Sequence, residues 1–184
     1  MFSECCDWID PGVSGGMAAV DVVGREVLCA ESLRHFDRTG KILNGRVLNG
    51  GLVTEFIEVF MNGGKGVDVR VVVERQQFMK KHDFGTGGFA AAFNYGVLIE
   101  SVWRARGSSV PVVDSLMTVL PAKWKREMGL SSDKELSRIV ADAVFPGAEG
   151  RFWKRKGDDG IAEAALLAWY GAKVWGLTVG DGGV

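Results

Sequence analysis

Apolar positions along the chain change period several times, and each change marks an element. CCDWID (residues 5–10) reads as a short buried strand that stops at the turn signal PGVSGG. MAAVDVV (17–23) and EVLCA (26–30) read as two further strands, with Gly24-Arg25 as the tight turn between them. These three strands form a meander. A polar stretch, 35–51, follows. LVTEFIEVFM (52–61) then repeats its apolar residues with helical spacing, and NGGKG ends it. VDVRVVVE (67–74) is β-branched and nearly all apolar, as expected of a central strand covered on both faces. After a loop (75–88), FAAAFNYGVLIESVW (89–103) predicts a helix, and VPVVDSL (110–116) a fifth strand. Residues 131–145 predict another helix, opened by a Ser132/Glu135 capping box. A last helix is expected from about Asp158 to about Lys173. Three strands, then helices alternating with two more, make a mixed-sheet α/β domain.

A chain of 184 residues suits one domain, expected over 1–176, with a flexible glycine-rich tail over 177–184. No apolar run approaches the ~20 residues that span a bilayer, and the N-terminus lacks the pattern of a signal peptide. Cys5, Cys6 and Cys29 have neither zinc nor redox-pair spacing, and reduced thiols in the cytoplasm are expected. Net charge is −1, so the chain as a whole is no polycation. The bases are nevertheless clustered: Lys80 and Lys81 beside His82, Lys123 and Lys125 beside Arg126, and Arg151, Lys154, Arg155 and Lys156. One such run is usually a solvated surface; three favour an anionic partner.

The acids lie close to these runs in sequence. Asp10 ends the first strand and Glu74 the fourth, so adjacent strands would bring the two together. Asp159 and Glu163 stand i, i+4 on one helix face. Each has an ordinary explanation as a turn former, a solvated strand end or a helix cap, except Glu163, which interrupts the apolar run IAEAALLAW. Four ionised carboxylates sharing a few ångströms need positive charge between them. Hard divalent cations such as Mg²⁺ supply it, and a pair of them supports phosphodiester cleavage.

The segments WIDPGVSGGMAAVD, VVVERQQFM, GTGGFAAAFNYGVLIE, PAKWKREMGLSSDKELSRIVADAVFP and FWKRKGDDGIAEAALLA, in that order, resemble the RuvC-type Holliday junction resolvases, in particular their phage-like branch. The likeness runs from Asp7 to Tyr170. It implies an RNase H-like fold, a mixed five-stranded sheet with helices on both faces. It implies a homodimer in a bacterial or phage-infected cell that nicks four-way DNA junctions symmetrically, using two Mg²⁺ ions that Mn²⁺ can replace. It carries catalytic and metal-binding roles onto Asp10, Glu74, Asp159 and Glu163. DNA contacts are expected from Arg75, Phe78, Lys80, Lys81, Lys123, Lys125, Arg151, Lys154, Arg155 and Lys156, with Phe78 either a wedge against bases or a core anchor. Relatives often carry the last two acids at i, i+3, where this chain has Gly160, so either Asp158 or Asp159 is the third ligand. Helical rotation of ~100° per residue keeps Asp159 on the face of Glu163 and makes Asp158 the N-cap, with Gly160 leaving room beside Asp159.

Other readings weigh less. GTGGFA has dinucleotide-type spacing but stands well past the end of its strand, and no phosphate-binding P-loop exists, so no nucleotide cofactor is expected. DPGVSGG resembles an actin-like phosphate loop, but that fold needs two such domains. A flap or branched-DNA nuclease with the same metal site, and a catalytically silent DNA-binding module of the same fold, stay open.

Overall fold

A computed structural model describes residues 4–9, 15–33, 47–62, 68–76, 86–106, 116–131 and 133–178. The elements run β1 (Glu4–Ile9), β2 (Gly16–Asp21), β3 (Glu26–Ser32), α1 (Gly50–Asn62), β4 (Asp68–Glu74) and α2 (Thr86–Arg106). Then follow β5 (Leu116–Val119), α3 (Pro121–Glu127), α4 (Lys134–Val144), α5 (Glu149–Phe152) and α6 (Asp159–Val174).

The strands form one sheet in the order β3-β2-β1-β4-β5. The meander β1–β2–β3 is antiparallel, whereas β4 lies parallel to both β1 and β5. Register fixes which ends meet. Ile9 pairs with Met17 on one side and Val73 on the other, and Glu74 pairs with Val119. The C-terminal ends of β1, β4 and β5 therefore share one end of the sheet with the start of β2.

Alternation along the strands sends side chains to two cores. Met17, Val71 and Val73 pack with Val53 and Ile57 of α1 and with Leu98 and Val102 of α2. Ala18, Val20, Val72 and Val119 pack on the other face with Trp124 of α3, Ala141 of α4 and most of α6. Helices thus cover both faces, which explains the unbroken valine run of β4. The α6 helix is buried nearly all round, lying between the sheet and α4, as a helix apolar on every side must. Its small residues let it approach closely: a Cβ added to Gly16 would stand 2.7 Å from the Gly160 carbonyl oxygen and 2.8 Å from Ile161 Cα. The room expected beside Gly160 is therefore filled by β2.

Several expected boundaries move. The described fifth strand is Leu116–Val119, paired with β4 from Leu116; of the expected strand 110–116, all but Leu116 lies outside the described residues. The cap of α4 is Asp133, whose Oδ1 accepts the Glu135 N–H at 2.9 Å; Ser132, the expected cap, is outside the described residues. Two helices, α3 and α5, had no counterpart in the periodicity. Pro121 opens α3, where its missing N–H is no loss. Gly129, at φ 68, closes it, with Leu130 N–H returning to Lys125 O and Gly129 N–H to Arg126 O in a Schellman arrangement. Leu177, expected in the tail, donates its N–H to Ala172 O and packs on the α6 core.

Candidate functional site

Three of the four expected acids lie among the described residues, on α6 or at the end of β4 beside it. Glu74 closes β4 with the parity of Val72, so its side chain faces α6. It is only 9% exposed, and Trp124 Nε1–H donates to its Oε2 at 2.8 Å. Asp159 is the first residue of α6, 5% exposed, with Lys134 Nζ 2.7 Å from its Oδ2. Glu163 accepts from Lys125 Nζ and from Ser137 Oγ, both at 2.9 Å. Asp10 follows Ile9 in the sequence and lies outside the described residues.

The two short helices after β5 join these acids. From α3, neighbouring residues reach two of them, Trp124 to Glu74 and Lys125 to Glu163. From α4, Lys134 and Ser137, one turn apart, reach Asp159 and Glu163. Asp159 and Glu163, also one turn apart, therefore both look toward α4. A buried carboxylate costs several kcal/mol unless it is paired and hydrogen-bonded. Here each has a donor, and two of the three have an ammonium group. Among the described residues no three acids, histidines or cysteines form a ready metal-ligand group.

Asp158 behaves differently from its neighbour. It occupies the N-cap position of α6, but its side chain makes no capping bond to the helix. Its Oδ2 instead accepts the Arg155 N–H at 2.9 Å, with Arg155 Nε at 3.8 Å. The capping role expected of Asp158 is thus replaced by a loop-closing one, because the chain turns back between Arg155 and Asp158.

The expected DNA contacts separate into groups. Lys123, Lys154, Arg155 and Lys156 are exposed. Arg75 is exposed too, its backbone N–H held by Val119 O at 2.7 Å. Lys125 turns inward to Glu163. Arg151 stacks on Phe152 and lines a different cavity. Phe78, Lys80 and Lys81 lie outside the described residues. Sequence reasoning missed Trp124, Lys134 and Ser137. For Trp124 a signal existed: a tryptophan flanked by lysines in a short basic run has to turn inward to bury its ring.

A mixed sheet in the order β3-β2-β1-β4-β5, with helices on both faces and acids where the parallel strands end, is an RNase H-like α/β fold. Among solved structures the chain is similar to Thermus thermophilus RuvC. It matches RuvC in complex with Holliday junction substrate at 16% identity and TM-score 0.58, covering 91% of this chain and 92% of that one. It matches a second T. thermophilus RuvC structure at 16% identity and TM-score 0.55, covering 91% and 93%. The fold is therefore that of RuvC across nearly the whole chain. No protein-family model and no curated protein sequence matches it. Among the described residues, no helix is long and apolar enough to cross a membrane.

Proposed function

We propose that this chain is a metal-dependent endodeoxyribonuclease that resolves four-way DNA junctions by paired, symmetric nicks. The observation that carries the reading is the burial of Glu74 and Asp159, two carboxylates facing one layer of helices in a RuvC-like fold. Withdrawing a carboxylate from water is costly, and holding a divalent cation is one arrangement that offsets the cost. The RuvC structure solved with a Holliday junction substrate supports branched DNA as the substrate class.

The donor set suits hard divalent cations, which take carboxylate oxygens. Lys134 and Lys125 supply positive charge of the kind such an ion would bring. Asp10, Glu74, Asp159 and Glu163 would hold a pair of Mg²⁺ or Mn²⁺ ions, which when bound activate a water and stabilise the leaving oxygen of a phosphodiester. The chain's own residues do the positioning. Trp124 fixes the Glu74 carboxylate through its indole N–H, and Ser137 orients Glu163 through its hydroxyl. Exposed Lys123, Lys154, Arg155 and Lys156, with Lys80 and Lys81, supply charge for phosphates.

A homodimer completes the reading, since a two-fold enzyme matches a two-fold junction. The α2 helix carries Phe89, Phe93 and Trp103 in exposed positions, a surface that an isologous contact would cover.

The test is an immobile four-way junction and a 5′ flap, each incubated with Mg²⁺ and with EDTA, and the nicks mapped. Symmetric, Mg²⁺-dependent nicks in the junction, lost in Asp10→Asn and Glu74→Gln, are expected. Cutting confined to the flap assigns a flap nuclease. Junction binding without cutting in any metal assigns a silent DNA-binding module.

A further inference from the structure

Both carboxylate oxygens of Glu163 are engaged. Lys125 Nζ stands 2.9 Å from Oε2, and Ser137 Oγ donates to Oε1 at 2.9 Å. The Ser137 hydroxyl is neutral and can keep its bond while the carboxylate holds a cation. The Lys125 ammonium is different. It is a positive charge in contact with the kind of oxygen that a hard cation takes as ligand. Like charges a few ångströms apart repel, the more so where little water screens them. Little water reaches this pair, since the side chain of Lys125 is 27% exposed and that of Glu163 13%.

The backbone that carries Lys125 is anchored on both sides. The preceding Trp124 is buried, and its indole N–H is bonded to Glu74. Lys125 O accepts the Leu130 N–H at 2.7 Å in the turn that closes α3. Release of Glu163 is therefore a rotation of the lysine side chain. That rotation also gives up the Trp124 ring, whose centroid lies 5.4 Å from Nζ. The ammonium on the neighbouring acid has a different setting: Lys134 reaches Asp159 with a side chain that is 64% exposed. A solvated ion pair loses little when another cation replaces it, whereas a withdrawn one resists the exchange. We propose, resting on the metal-dependent reading of the site, that Lys125 is a resident counter-ion that competes with a divalent cation for Glu163. Ion uptake by the DNA-free chain is weak for that reason.

The probe is Mn²⁺, titrated into the DNA-free full chain, with the unbound ion counted by its electron paramagnetic resonance signal. Lys125→Gln keeps a donor in reach of Glu163 and removes the charge. It should bind Mn²⁺ roughly tenfold more tightly than wild type, the effect of one like charge removed from contact. Lys125→Arg keeps the charge and should bind as wild type does. Arg126→Gln removes an equal charge from an exposed position on the same helix and should stay within about twofold of wild type, since solvent and salt screen it. Thermal melts give a second reading that a loosened variant still answers. A fixed Mn²⁺ concentration should raise the melting temperature of Lys125→Gln more than that of wild type, because an ion bound to the folded state stabilises it according to its affinity.

Equal uptake by wild type and Lys125→Gln overturns the proposal. So does a matching gain in Arg126→Gln, which makes the effect one of net charge, or in Lys125→Arg, which makes it one of packing. Glu74→Gln and Glu163→Gln separate this failure from that of the metal site itself. If these two lose the ion while Lys125→Gln matches wild type, only the counter-ion role falls. If both bind Mn²⁺ as wild type does, the ion does not sit at these acids, and the metal-dependent reading falls with the proposal.

Discussion

Lys125 Nζ on α3 lies 2.9 Å from Glu163 Oε2 on α6, and both side chains are largely withdrawn from solvent. The other Glu163 oxygen belongs to Ser137 on α4. One carboxylate therefore ties three helices together at the end of the sheet where Glu74 sits. Removing the cation alone leaves a withdrawn carboxylate without its charge partner. Lys125→Met should cost about 1–3 kcal/mol in a denaturant melt. Lys125→Met combined with Glu163→Gln should recover part of that loss; additive losses would show that the pair is not coupled.

The adjacent aspartates should separate cleanly. Asp159 is buried against Lys134, while Asp158 holds the loop through the Arg155 N–H. Asp159→Asn should abolish Mg²⁺-dependent nicking and leave the melting temperature nearly unchanged, because its partner lysine is mostly solvated. Asp158→Ala should cost about 1 kcal/mol, the worth of one side-chain to backbone bond, and keep most activity. Nicking assays and thermal melts on the two variants check this, and the reverse pattern would make Asp158 the ligand.

Gly16→Ala should disable the site without touching an acid. The added methyl carbon meets backbone at 2.7 and 2.8 Å, and backbone cannot rotate away as a side chain can. A cost of about 3 kcal/mol is expected, the upper end for overpacking. If the protein stays folded, the start of α6 must shift, and Asp159 shifts with it. Wild-type stability and wild-type nicking together would contradict the close contact.

Tyr170 sets a limit at high pH. Burial first, and then the Glu127 carboxylate, push its phenol up to about 12. Its hydroxyl has no hydrogen-bond partner of good geometry among the described residues, so burial is the cause we assign. The folded state then holds the proton more tightly than the unfolded chain does. The associated stability is full below pH 10 and is lost as pH rises toward about 12. Denaturant midpoints across that window should fall in wild type and fall less in Tyr170→Phe. Identical slopes would remove Tyr170 from the account.

Much of this fold is legible in the sequence because burial imposes periods. The valines of β4 and the Ala/Leu run of α6 announce central elements, and Glu163 stands out because it breaks such a run. Legibility ends where short elements obey other rules. The α3 helix is too short to show a period, and its marks are Pro121 at the start and Gly129 past the end. The parts that Lys134 and Ser137 play depend on how α4 lies against α6, a tertiary fact no local pattern contains. The expected fifth strand rests on the valine-rich run 110–116, whereas the described one, Leu116–Val119, shows itself through its pairing with β4, which no local pattern contains.

The bonds that assemble the site span long stretches of chain: Trp124 to Glu74 across 50 positions, Lys125 to Glu163 across 38, and Ser137 to Glu163 across 26. Every one of them needs a residue that leaves the ribosome well after its partner. A nascent chain that stops short of α6 carries Glu74 alone among the described acids, with neither Asp159 nor Glu163. On the proposed metal-dependent reading, the candidate acids come together only once α6 has been made.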